Sequence, residues 1–394
     1  MSPSETQPIY LDHAAATPLR PEVVEAMRQA EGAFGNPSSP HAAGRRAKRL
    51  LEEARERILA AVGAVTAATP QDRLVFTSGA TEANRLAILG LATAGVGRLA
   101  YSARDHASVA AAARWLGEQG WAVEELPLDE AGSVAAGLAR FYDHSHGDRP
   151  AIVCLTPVCG QTGIRDWPTI GPTRPSGLVV HVDATQAIGW EPLSFQTCGA
   201  ATLTVAAHKI GGPRGIGGLL LRGGITIAPQ TPGPQELGFR GGTEAVPLAV
   251  GFATAVELLA WERASLVDRV GRLHDQFERF VLAAATRHGV VAHVVGDAAD
   301  RSPHVSTIAF AGIDRQSLVM AADLAGVCLS TGTACASGSS DPAPAVAAMN
   351  LPPWVPQAAV RASFGRTTTP DDIAQAAARL DEVLRRLAML RAGR

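Results

Sequence analysis

Between residues 73 and 222 the chain alternates short, β-branched or wholly apolar runs with stretches in which apolar positions recur at helical spacing. The runs at 73–77, 98–102, 122–126, 151–156, 178–183, 201–206 and 217–222 are expected strands, and 81–93, 107–118 and 133–142 are expected helices between them. Strands alternating with helices predict an α/β fold with a mostly parallel sheet. Upstream, 21–32 and 43–62 carry amphipathic patterns, and 245–285 is a long helical stretch placed to bridge to a second unit. That unit is expected to hold a strand at 305–310, a helix at 314–324, a Gly/Ser/Ala-rich loop at 330–344 and a terminal helix at 370–390. The expected division is a large α/β domain over 18–260 and a smaller α+β domain from 1–17 with 261–394.

The 394 residues are 46% hydrophobic and 18% charged, the balance of a chain that can bury a sizeable core. With 35 basic against 37 acidic residues the net charge is -2, which gives no general attraction to nucleic acid or anionic lipid. The polar start and the absence of a long apolar run lead us to expect a cytoplasmic protein without a membrane segment. Five cysteines with no closely spaced pair fit reduced thiols rather than a disulfide framework.

Lysine usage changes the picture most. Of the 35 basic side chains only Lys48 and Lys209 are lysines. Where a positive charge suffices this chain uses arginine, so Lys209, in an apolar and Gly-rich context, raises the question of what an amine does that a guanidinium does not. A partly desolvated amine has a lowered pKa and condenses with an aldehyde.

Four further stretches bear chemistry. Leu74-Val-Phe-Thr-Ser-Gly-Ala-Thr-Glu-Ala-Asn84 runs from a buried strand through Gly79 into a helix whose first N–H groups, with the Thr81 hydroxyl, make an anion cradle; a tight turn capped by Ser78 is the plainer reading. Gly177-Leu-Val-Val-His-Val-Asp-Ala-Thr-Gln186 ends a strand in Asp183, at the sheet edge where ligands of open α/β sheets sit. Such a carboxylate would keep the ring nitrogen of pyridoxal phosphate protonated, or it simply caps the next turn. Cys335 lies among small residues in the 330–344 loop, unlike the buried, inert thiol that is commonest, and is a candidate nucleophile. Arg361 sits in a short apolar segment and would bind a carboxylate or form a structural ion pair. Cradle, strand-end carboxylate and isolated lysine, in that order, argue for pyridoxal phosphate. The histidines 144 and 146 lack a third ligand and read as solvated, so no metal is expected. Cys154 and Cys159 read as packing residues, and the basic run 45–49 as a solvated face balanced by Glu52, Glu53 and Glu56.

Taken together, Tyr10-Leu-Asp-His-Ala-Ala-Ala-Thr-Pro18, Gly35-Asn-Pro-Ser-Ser-Pro-His41, Thr77-Ser-Gly-Ala-Thr-Glu82, His181-Val-Asp-Ala-Thr-Gln186, His208-Lys209, Arg240-Gly-Gly-Thr243 and Ser330-Thr-Gly-Thr-Ala-Cys335 resemble the cysteine desulfurases among class V, fold-type I pyridoxal-phosphate enzymes, over nearly the whole chain. The resemblance implies that Lys209 carries the cofactor, that Asp183 pairs with its ring nitrogen, that Gln186 contacts its ring hydroxyl and that His106 stacks on the ring and shuttles protons. Gly79, Ala80, Thr81 and His208 would hold the phosphate, with Thr243 reaching in from a second subunit of a homodimer. Arg361, with Ala14 nearby, would take the L-cysteine carboxylate. Cys335 would accept the sulfur as a persulfide, release alanine and pass the sulfur to an acceptor protein, whether for iron–sulfur cluster assembly, tRNA thiolation or a secondary-metabolite pathway.

Two positions depart from the pattern: Gly160 stands where the family usually has a ring-contacting Asn, and Ala206 where it usually has a phosphate-binding Ser. Each removes a hydrogen bond worth on the order of 1 kcal/mol, so weaker cofactor affinity is expected, not its loss. The alternatives are a related class V enzyme (selenocysteine lyase, another C–S lyase or an aminotransferase) and a non-catalytic sulfur-relay or scaffold subunit.

Overall fold

The computed structural model describes residues 8–92, 95–143, 150–167, 177–332 and 341–392. Cys335, His144 and His146 lie outside the described residues.

The chain opens with a two-residue strand β1 (Ile9–Tyr10) and two helices, α1 (Pro21–Ala30) and α2 (Ala42–Ala61). There follow β2 (Arg73–Thr77), α3 (Ala80–Leu91), β3 (Arg98–Ser102), α4 (Ala107–Glu118), β4 (Ala122–Leu126), α5 (Ala135–Asp143), β5 (Ala151–Leu155), β6 (Leu178–Asp183), β7 (Thr202–Ala206) and β8 (Gly217–Leu221). These strands form a seven-stranded sheet in the order β2-β8-β7-β6-β5-β3-β4. Only β8 runs against its neighbours, so the predicted mostly parallel sheet is present. Position in the sheet follows composition. The wholly apolar or small runs of β5 and β7 are buried throughout at the centre, whereas β4, with Glu124 and Glu125, exposes much of its length at an edge.

Beyond the sheet, α6 (Val246–Arg287) is a 42-residue helix that packs on α1 and α2 at one end. At the other end it meets β10 (Val305–Phe310) and α10 (Pro370–Ala392). It is therefore the bridging helix read from the sequence. Between lie β9 (Ala292–Val294), α7 (Arg315–Leu324), β11 (Val327–Cys328), α8 (Pro344–Ala348), α9 (Trp354–Ala358) and β12 (Ala359–Ser363). Strands β12, β10 and β9 make an antiparallel three-stranded sheet, and β11 pairs with β1. The segment 360–366 is thus mostly strand, which the charge of Arg361 concealed.

Cys154 and Cys159 are buried packing residues, as expected. The basic face of α2 differs in detail. Arg45 donates to the Pro40 carbonyl. Glu52 pairs with Arg55, whose guanidinium is buried against Glu236 at 2.8 Å. Glu236 also accepts from the Phe76 amide at 2.7 Å, which ties the Gly-rich stretch near residue 236 to the sheet. No described helix is long and apolar enough to cross a membrane.

Candidate active site

In an open α/β sheet ligands sit beyond the carboxyl ends of the parallel strands, which here lead into Gly79, His106, Gln186 and Lys209. After β2 the chain turns at Gly79 (φ 157°, ψ 179°), and a Cβ there would meet nothing within 4 Å, so the turn faces open space. Behind it, a Cβ on Gly217 would lie 2.7 Å from the Gly79 carbonyl carbon, so β8 admits the turn only because it carries glycine. Gly79 caps α3 without a side-chain bond, leaving the amides of Ala80, Thr81 and Glu82 aimed outward with no intrahelical acceptor. Glu82 reaches back to the Ser78 amide at 2.6 Å and holds Arg240 at 2.9 Å.

From the ends of β6 and β7 come Asp183, Gln186, His208 and Lys209. Asp183 is buried; its Oδ2 accepts from Asn84 Nδ2 at 2.7 Å and its Oδ1 from the Thr185 amide at 3.0 Å. Lys209 follows β7 in a short turn, half-buried, and its Nζ donates to the Ala14 and Ala15 carbonyls at 2.7 and 2.9 Å. Gln186 Nε2 donates to the same Ala14 oxygen at 2.8 Å. His208 is held neutral, its pKa brought down to about 4 by burial and then by the charges of Lys209 and Arg214.

His106 caps α4 from the end of β3 and is exposed, with Nδ1 2.8 Å from Ser108 Oγ. The residue before it, Asp105, is buried and accepts from the Ser102 amide at 2.7 Å and Thr156 Oγ1 at 2.5 Å. Burial raises its pKa to about 6. Arg361 on β12 is buried. Nη2 meets Asp12 at 2.7 Å and Nη1 donates to the Gly160 carbonyl at 2.8 Å, while Nε has no partner. The ion pair expected as one reading of this arginine is present, and Nε is buried as well as unpartnered.

Hydrogen bonds link Lys209 and Gln186 through the Ala14 carbonyl and Arg361 to Gly160, beside which Gln186 lies, while Asp183 is joined through Asn84 and Ser108 to His106. Thr243 is exposed and lines a separate cleft with Ser78, Glu236 and Arg240. Ala206 is fully buried and offers no hydroxyl. Roles for Asn84, His181 and His304 went unassigned in the sequence. Asn84 sits in the buried stripe of α3 with Ala83, Ala87 and Ile88, and a polar residue at such a position was the available signal.

The sequence profile of the family described as Aminotransferase class-V matches residues 9–375. The chain belongs to that family. Among curated class V relatives, Cysteine desulfurase IscS of Dictyoglomus turgidum is 33% identical over 391 residues, covering 96% of this chain and 95% of its own. A Cysteine desulfurase of Cereibacter sphaeroides is 35% identical over 378 residues, covering 93% and 92%. Among solved structures, the NifS-like protein from Rickettsia africae superposes with a TM-score of 0.85 at 26% identity, covering 96% of this chain and 99% of that one.

Class V enzymes use pyridoxal 5'-phosphate, and the residues here fit it. A half-buried primary amine is held by two backbone carbonyls, a buried carboxylate is fixed by two donors, and an open Gly79 turn with unclaimed helix amides suits a phosphate.

Proposed function

We propose that this class V enzyme is a cysteine desulfurase that converts L-cysteine to L-alanine and carries the sulfur as a persulfide on Cys335 to an acceptor protein. The observation that supports the reading is the meeting of the Lys209 amine and Gln186 at the Ala14 carbonyl, with Asp183 fixed by two donors and Arg361 bonded to Gly160, in a chain whose curated relatives bear that name.

When bound, pyridoxal phosphate supplies an electron-withdrawing ring that acidifies the substrate Cα–H. Asp183 would keep the ring nitrogen protonated, and Asn84 and Thr185 aim its carboxylate with two hydrogen bonds. The first-turn amides of α3, with Thr81 and neutral His208, hold the phosphate. Arg361 takes the substrate carboxylate with the donors that Asp12 and Gly160 leave unused. Lys209 would hold the cofactor through its amine and serve as the base for the Cα proton, and His106 would move protons at the face it covers. The Cys335 thiolate attacks the substrate sulfur: the S–S bond forms, the C–S bond breaks, and its electron pair leaves with the carbon, which is protonated to alanine. Thr243, exposed in one chain, completes the phosphate site of a second copy in a homodimer.

The test is mass spectrometry of Cys335 after incubation with L-cysteine, with alanine measured in parallel. Added sulfur mass on Cys335 together with alanine is the expected result. Alanine without that mass, and unchanged turnover in Cys335→Ala, identifies a lyase; absence of a visible cofactor band in the wild type, or its persistence in Lys209→Ala, removes the catalytic reading.

A further inference from the structure

Gln186 is not free to choose its orientation. Its Nε2 donates to the Ala14 carbonyl oxygen at 2.8 Å, and a carbonyl only accepts, so the amide cannot be turned over. Oε1 therefore faces His304 Nε2, 3.2 Å away, and His304 must carry its proton on that nitrogen. The other ring nitrogen, Nδ1, then accepts from Ser302 Oγ at 2.8 Å. The imidazole is clamped flat against Trp190, with ring centroids 4.4 Å apart and planes 1° from parallel. It is buried, and burial together with the Arg361 charge drives its pKa well down, so it stays neutral. On the far side of the amide, a Cβ on Gly160 would lie 3.0 Å from Gln186 Nε2 and 3.1 Å from its Cγ. Gln186 thus lies over a glycine and is gripped from behind by a stacked, singly protonated histidine.

We infer that His304 is a positioning residue that acts through Gln186: the Ala14 carbonyl sets which end of the amide is Nε2, and His304, backed by Ser302 and Trp190, holds the other end so that Nε2–H is offered to the ring hydroxyl of bound pyridoxal phosphate. This rests on the proposed contact of Gln186 with that hydroxyl. Of the two side chains that the resemblance places at the ring hydroxyl, an Asn at position 160 and Gln186, this chain keeps only the second. One amide has to do the work of two, and its orientation matters correspondingly more. An N–H donor favours the oxyanion form of the hydroxyl, so the fixed amide lowers the pH at which the lysine-bound cofactor loses its proton.

The experiment is a spectrophotometric pH titration of the visible band in purified wild-type, His304→Leu, His304→Gln and Ser302→Ala proteins as isolated with cofactor, alongside thermal melting of each. His304→Leu should move the titration midpoint up by about 0.5–1 pH unit, the worth of one hydrogen bond. His304→Gln, whose own amide N–H can reach Gln186 Oε1, should return most of that shift, and Ser302→Ala, which frees the tautomer, should shift it less in the same direction. A lowered melting temperature in His304→Leu with an unmoved midpoint assigns His304 to packing alone and overturns the inference. If His304→Leu does not fold, an unmoved midpoint in Ser302→Ala overturns it equally. A wild-type protein with no visible band overturns the cofactor reading and this inference with it, whereas a normal wild-type band with unmoved midpoints overturns this inference alone.

Discussion

Asn84 Nδ2 donates to Asp183 Oδ2 at 2.7 Å and reaches Ser108 Oγ at 3.0 Å with the same nitrogen. Ser108 Oγ in turn lies 2.8 Å from His106 Nδ1, so a single helix side chain joins the strand-end carboxylate to the histidine at the start of α4. The amide cannot invert, because a carboxylate only accepts. Its Oδ1 consequently accepts from His181 Nε2 at 3.1 Å, and His181 Nδ1 takes the Thr202 hydroxyl at 2.9 Å. Burial lowers the His181 pKa to about 4, which keeps this relay neutral and its tautomer fixed.

Replacing Asn84 by leucine, which keeps the branching but not the polar ends, removes the donor from a buried carboxylate and the anchor from Ser108. A lost hydrogen bond to a charged group costs about 1.5–3 kcal/mol, so cofactor affinity should fall at least tenfold. Titration of the cofactor-free protein with pyridoxal phosphate, followed by visible absorbance, measures this directly; an affinity equal to wild type would mean that Asp183 needs no help from α3.

Arg361 commits one donor to Asp12 and one to the Gly160 carbonyl, and keeps Nε without a partner. Lysine at this position retains charge but loses the planar fork. Arg361→Lys should lower kcat/KM for L-cysteine by roughly 10- to 100-fold, mainly through KM. Steady-state kinetics with alanine as the measured product decides it, and a defect confined to kcat would place the substrate carboxylate elsewhere.

Much of this architecture was legible because local composition and burial agree. The apolar run at 178–183 is strand β6 at the predicted bounds, and Asp183 ends it, buried. Lys209 stood out through the scarcity of lysine and its apolar, Gly-rich context, and its amine is held by the Ala14 and Ala15 carbonyls, a contact no local pattern announced. The small strands were not: β1 and β11 are two residues each, too short to show a period, and they exist because they pair with each other. The Asn84 and His304 contacts were equally hidden, since they span 99 and 118 positions in sequence and no local pattern encodes such distances.

Stability should fall between neutral pH and pH 5. Burial lowers His13, His181 and His208 to about 4 from an ordinary 6.5, and brings His304 well below it. Each is neutral in the fold and takes up a proton on unfolding, so its contribution is complete above 6.5 and is lost as pH falls through the window toward 4. Each histidine accounts for on the order of 1–2 kcal/mol at pH 5. Asp105 acts oppositely: raised to about 6, it is protonated in the fold before it would be in the unfolded chain, and so offsets part of the loss. Glu191 and Glu244, also raised by burial, act in the same sense as Asp105, and the four histidines outweigh them, so the net slope is positive with pH. Thermal melting of the cofactor-free protein across this range should show it, and a flat profile would mean that these imidazoles are hydrated in solution.

Gly160 lets the Gln186 amide lie where a side chain would otherwise stand. A Cβ 3.0 Å from Nε2 and 3.1 Å from Cγ is closer than ordinary contact, and the amide is already held on its other side by Ala14 and His304, so it can yield only by lengthening those bonds. Gly160→Ala should therefore act like a weakened His304, raising the pH midpoint of the visible band by a few tenths of a unit, on the scale of part of one hydrogen bond. Gly160→Asn brings in a donor of its own at the cost of a larger displacement of Gln186, so its midpoint should lie below that of Gly160→Ala. The reverse order would show that Gln186 has room to move, and that glycine at this position is incidental to how the ring hydroxyl is held.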